Sequence, residues 1–154
     1  MNGKLLLYAL SAVVAVAFIV FKVYGIESSA LTDSLYWRAM YIFFHGGVLH
    51  AAANAMCLVA IARSDFRVPS HFVVMAIVVA MCAPMGDGSA TVGCSGVYYA
   101  VLGAISWQSI DVKRYHALIA LFIALGCLPW MHVNYMLHTF CYAEGVMFGW
   151  ICKD

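Results

Sequence analysis

Apolar residues run from Leu5 to Phe21 with a single serine among them, and five further apolar stretches follow, each closed by a short polar segment. Runs of this length with so few charges predict membrane-crossing helices. The predicted spans are 5–24, 41–62, 70–84, 94–108, 115–130 and 135–151, the third and fourth short for a hydrocarbon layer of about 30 Å. Polar connections are expected at 27–33, 63–67, 85–89, 111–114 and 131–134. The start, Met1-Asn2-Gly3-Lys4 followed by the first run, has the shape of a signal sequence. Its apolar part exceeds the usual length of about 7–15 residues, so it is read as a retained first span.

Composition agrees with that pattern. The 154 residues are 66% hydrophobic and 10% charged, which identifies a membrane protein and leaves no length for a second, soluble domain. The fold class expected is an all-α, six-transmembrane-helix bundle with short loops, forming one domain over 1–154. A formal net charge of +1 offers neither a basic face for nucleic acid nor an acidic tail. Lys4, Arg63, Arg67, Lys113, Arg114 and Lys153 fall on the N-terminal side of the membrane, and Lys22 and Arg38 fall opposite. This asymmetry places both termini in the cytoplasm. The six cysteines form no Cys-x-x-Cys pair and no cluster with histidine, so they are expected to be small buried hydrophobes.

Hydrocarbon gives a polar side chain no water to bond, so each one inside a span has to find a partner or a wet cavity. His45, His50, Asn54, Ser95, His138 and Glu144 are the principal ones. On a helix, His50 and Asn54 stand about 40° apart, one turn above the other, whereas a helical His45 would point about 140° away. Ser95 and Tyr99 share a face, beside a small-residue stripe of Gly96, Ala100 and Gly103. In the last span Cys141, Gly145 and Gly149 lie within about 60° of His138, an arrangement that lets helix backbones approach closely. With the orientation above, Ser95 and His138 lie at one depth near the outer leaflet. Each feature alone has a plain packing explanation; their joint order and depth points to a serine nucleophile with a histidine base.

Trp37-Arg38 in the first outer loop, His45-x4-His50-x3-Asn54 in the second span, Gly93-Cys94-Ser95-Gly96 with Tyr99 one turn later, and His138 followed by Gly145 together resemble the rhomboid intramembrane serine proteases. The resemblance covers nearly the whole chain. It implies Ser95 as nucleophile, His138 as base, and an oxyanion hole of His50, Asn54 and the Ser95 backbone N–H. It further implies Tyr99 against the His138 ring, and Trp37-Arg38 with His45 bracing the outer loop. Gly93, Gly96 and Gly145 support the site, no cofactor or metal is required, and the partners are a lipid bilayer and a transmembrane protein substrate.

Two residues depart from the family's pattern. Cys141 stands where glycine is usual, which would widen the contact between the fourth and sixth spans by a side chain unless Gly145 and Gly149 compensate. Glu144, about 120° from His138 and some 9 Å deeper, cannot orient the imidazole, so a dyad is expected and the acid is assigned to a hydrogen bond with a neighbouring helix. Processing of C-terminal anchoring tails, as in the compact rhombosortase subgroup, and a non-catalytic rhomboid-like client-binding role remain as alternatives. A haem or metal protein is disfavoured, since there is no His-Glu-x-x-His and His45 and His50 would occupy different faces. His71, His116 and His132 are expected in solvated loops.

Overall fold

In a computed structural model the chain is described over residues 2–26, 35–84, 91–127 and 133–153, the side chains of 35–37 excepted. The expected loops 27–33 and 85–89, and His132 and Trp130, lie outside the described residues. Seven α-helices are present among them, with no strand: α1 (Gly3–Val23), α2 (Leu35–Met40), α3 (Val48–Arg63), α4 (Ser70–Cys82), α5 (Ser95–Ile105), α6 (Val112–Leu125) and α7 (Tyr135–Ile151). Three-residue 3-10 turns follow α2 and α5, at Tyr41–Phe43 and Ser106–Gln108.

The helix boundaries follow local chemistry. Asn2 caps α1 by accepting from the Lys4 N–H, and Asn134 caps α7 by accepting from the Leu137 N–H. The helix expected from 41 starts only at Val48, because Gly46 and Gly47 interrupt it and Gly47 is fully extended (φ 176°, ψ 172°). The helix expected from 115 starts three residues earlier. Asp111 accepts from the Arg114 N–H at 2.9 Å and supplies an N-terminal cap that the hydropathy pattern does not register.

α5 occupies the middle of the molecule. Nine of its eleven residues are buried, from Ser95 to Ile105, whereas α6 buries none of its own. α7 lies along α5 through a stripe of Leu137, His138, Cys141, Gly145 and Gly149. At Gly103, Gly145 and Gly149 the two backbones touch: a Cβ on Gly145 would strike the Ala100 carbonyl, and one on Gly149 the Ala104 carbonyl. α1 packs on α3 through Leu7, Ser11 and Val14, with Ser11 Oγ donating to the Ala55 carbonyl at 3.1 Å.

Side-chain bonds gather alternate helix ends. At one end Lys4 Nζ donates to the Ser64 carbonyl and Gln108 pairs with both backbone groups of Arg67, beside a backbone bridge between Asn2 and Pro69. At the other end the Phe21 and Phe44 rings stack at 4.4 Å, and Arg38 Nη1 reaches the Ala83 carbonyl at 3.2 Å.

Among the described helices, α1 alone is long and apolar enough to cross a membrane by length and composition; α3 and α4 are shorter apolar helices. The cysteines do not behave alike. Cys94 and Cys141 are buried, but Cys82, at the end of α4, and Cys127, in the turn after α6, are exposed, because a helix end or turn accepts a small thiol as readily as the core does.

Candidate active site

Ser95 opens α5 and His138 lies in the first turn of α7, and both are 6% exposed. Their side chains meet: Ser95 Oγ is 2.7 Å from His138 Nε2. A neutral imidazole with its proton on Nδ1 accepts the hydroxyl proton there. The Tyr99 ring stacks on the imidazole, with centroids 4.4 Å apart and planes 29° from parallel. This contact fixes the ring where a carboxylate would serve in a triad.

The relative height of the two groups is set by Asn134. Its Oδ1 caps α7, while Nδ2 donates to Thr91 Oγ1 at 2.7 Å, tying the start of α7 to the segment that leads into α5. Along that segment Gly93 takes φ +103°, a left-handed conformation that L side chains rarely adopt.

His50 and Asn54 flank the same glycine. A Cβ on Gly93 would lie 2.8 Å from Asn54 Nδ2 and 2.8 Å from His50 Nε2, so both nitrogens border the gap left by the missing side chain. The Gly46 N–H donates to His50 Nδ1 at 3.4 Å, which leaves the ring proton on Nε2, facing that gap. Asn54 Nδ2 is buried without a hydrogen-bond partner among the described residues, an orphaned donor at the edge of the site. Ser95 is the first residue of α5, so its N–H has no acceptor within the helix and carries the positive end of the helix dipole. Two side-chain nitrogens therefore border Gly93, two residues before Ser95, whose own N–H opens α5.

Asn54→Ala is expected to leave the melting temperature unchanged or slightly raised, since the orphaned Nδ2 contributes no resting hydrogen bond. If Asn54 belongs to an oxyanion hole, as the resemblance implies, turnover should fall by about 10²- to 10³-fold, because such a donor acts on charge that develops only in the transition state. Thermal unfolding in detergent beside steady-state rates checks both halves; an unchanged rate removes Asn54 from the oxyanion hole.

The remaining expected residues are placed as follows. Gly96 faces Cys141, whose Sγ would be 3.1 Å from a Cβ there, so the buried thiol fills the space opposite a glycine. Farther along α7, Gly145 and Gly149 still bring its backbone against that of α5, the compensation expected of them. Gly145 gives close backbone approach, as described above. Arg38 caps the end of α4. Trp37 lies on α2, with its side chain outside the described residues.

His45 is not on a helix, so the angular separation from His50 does not apply. The two rings meet edge to face, 5.1 Å apart, and His45 Nδ1 donates to the Phe43 carbonyl at 3.2 Å. His45 Nε2 is buried with no partner among the described residues. The loop assignments of His71 and His116 are corrected as well. His71 is in the first turn of α4, and His116 is in α6 with its Nδ1 2.6 Å from the Tyr142 hydroxyl. Glu144 is half-buried and has no hydrogen bond or ion pair among the described residues, so the neighbouring helix does not supply the bond expected of it.

Among the described residues no group of three or more His, Cys, Asp or Glu side chains is arranged to hold a metal ion. Asn134 and Tyr41 are the site neighbours that hydropathy and motif spacing missed. Asn134 carried a readable signal as an asparagine just ahead of a helical run. Tyr41, whose carbonyl accepts the Gly93 N–H at 3.0 Å, carried none. Compared with known proteins, the chain matches no family model, no curated protein and no solved structure.

Proposed function

We propose that this chain is an intramembrane serine endopeptidase of the rhomboid type, a six-span bundle that cuts a substrate's transmembrane segment near its outer end. The observation that carries the proposal is the buried 2.7 Å contact between Ser95 Oγ and His138 Nε2, beside the two nitrogens that border Gly93. Ser95 Oγ attacks the scissile carbonyl carbon while His138 Nε2 takes its proton. The resulting oxyanion is held by His50 Nε2–H, the Asn54 amide and the Ser95 N–H. His138 then gives the proton to the departing amine, and water attacks the acyl-serine by the same route in reverse.

A membrane setting is supported by the surface. Large apolar side chains are exposed along the outer helices, including Val13, Val16 and Ile19 on α1, Val74 and Val78 on α4, and Leu118, Leu121 and Phe122 on α6. Contiguous apolar surface of this extent belongs against lipid or protein. Trp107 and Trp150 are exposed near the end where Lys4 and Arg67 gather, with the Lys153 ammonium 4.8 Å from the Trp150 ring, as at a membrane interface. α5 has only eleven residues, and a short span is tolerable where protein surrounds it and satisfies the adjoining backbone. Among the described residues α6 packs lightly, against α7 and the 3-10 turn after α5 with one hydrogen bond from the Tyr115 hydroxyl to the Leu102 carbonyl of α5, and its backbone does not approach α3. Lateral entry of an extended substrate is assigned to the space between α3 and α6.

The test is reconstitution into liposomes with a set of single-span reporter proteins, the products mapped by mass spectrometry. Cleavage near the outer end of a span is expected, and restriction to C-terminal anchoring tails would place the enzyme with tail-processing members. Intact reporters in every case would reject the protease reading. The acid limb of kcat/KM should rise about 10-fold per pH unit until the imidazole is neutral and then level off, because a protonated His138 has no lone pair to accept the serine proton. A flat acid limb argues against an imidazole base.

A further inference from the structure

α4 ends because of Pro84. Proline removes an N–H and drives the preceding residue out of the helix, and Ala83 is accordingly extended (φ −61°, ψ 145°). In a continuing helix the Ala80 carbonyl would accept from the N–H of residue 84, which Pro84 lacks. Ala80 is fully buried, so an unfilled acceptor there would be costly. The hydroxyl of Tyr41, itself buried, donates to that carbonyl at 2.8 Å.

Tyr41 also reaches the nucleophile from both sides. Its backbone carbonyl accepts the Gly93 N–H at 3.0 Å, two residues before Ser95. Its hydroxyl lies 3.4 Å from where a Cβ on Gly96 would stand, one residue after Ser95, together with Cys141 Sγ and Ala80 Cβ. One side chain thus connects the fixed end of α4 to the turn that presents Ser95, and one peptide carbonyl holds the glycine bordered by His50 and Asn54.

We propose that Tyr41 is a positioning residue, a strut that sets the segment 92–96 at a fixed height over the end of α4. Ser95 Oγ and the oxyanion donors keep their register through it. The turnover arm of the test rests on the protease reading; the exchange arm does not.

Tyr41→Phe retains the ring and deletes only the hydroxyl. In liposomes its kcat per folded molecule is expected to fall about 10-fold with KM unchanged, the scale of a small misplacement of reacting groups. Hydrogen–deuterium exchange in the peptide covering 91–98 should accelerate by a similar factor. Unchanged exchange in that peptide, or a wild-type kcat, overturns the proposal. The double variant Tyr41→Phe/Pro84→Ala, in which residue 84 regains an N–H for the Ala80 carbonyl, is expected to keep the turnover defect. A return to wild-type turnover would make Tyr41 a mere filler of that carbonyl and also overturns it. If the wild-type chain cleaves nothing, the protease reading fails while the exchange comparison still decides the strut.

Discussion

Ser95→Ala and His138→Ala are each expected to lower the rate of reporter cleavage by about 10⁴- to 10⁶-fold, and the double variant by no more than either alone. The reason is the single contact that joins them. Without the base the hydroxyl keeps its proton and is a poor nucleophile; without the hydroxyl the base has nothing to activate. The 2.7 Å separation and the common burial make the pair one unit, and losses in one unit do not add. Ser95→Ala removes one hydroxyl and leaves the Tyr99 side chain that stacks on His138 intact, so the fold should survive that substitution. Initial rates in liposomes for the two single variants and the double variant decide the matter. Losses that multiply in the double variant would mean that the two residues act separately.

Gly145→Ala should damage both stability and turnover. The added methyl lands on the Ala100 carbonyl, a backbone group that cannot turn aside, so α5 and α7 have to separate. Overpacking of this kind costs roughly 1–3 kcal/mol, and here the same displacement draws His138 away from Ser95. Both the melting temperature and turnover are expected to drop. Ala143→Leu, one turn after Thr139 on the exposed side of α7, is the comparison and should change stability by less than about 0.5 kcal/mol. Equal effects of the two substitutions would show that α5 and α7 are not held by backbone contact at this level.

The elements most legible in the sequence were those with both a hydropathic run and a chemical stop. α7 was read at its observed limits, since Asn134 begins it and the apolar pattern ends at Ile151. α3 was read as starting seven residues too early, because Tyr41, Ile42, Phe43 and Phe44 are as apolar as the helix that follows, and hydropathy does not register the break at Gly46-Gly47. That error propagated to His45, whose direction was deduced on a helix it does not belong to. The start of α6 could have been found from Asp111 as a cap, and His116, inside the expected span 115–130, belonged on that helix, where it meets Tyr142.

The site was legible where one element brings two groups together and illegible where three elements meet. His50 and Asn54 share a face by helical period alone. The carbonyl orphaned by Pro84 could be deduced from the spacing of Ala80 and Pro84. Its donor, Tyr41, lies 39 residues away and is brought there only by the tertiary fold. The effect of Cys141 likewise depends on Gly96, the glycine opposite it on another helix.

The most direct test of the dyad is labelling of the liposome-embedded chain with a fluorophosphonate, followed by mass spectrometry of the adduct. Phosphonylation confined to Ser95, and lost when His138 is replaced by alanine in a chain that still folds, is the expected result. A folded wild-type chain that resists the reagent, or an adduct on Ser95 that forms equally fast without His138, would contradict it.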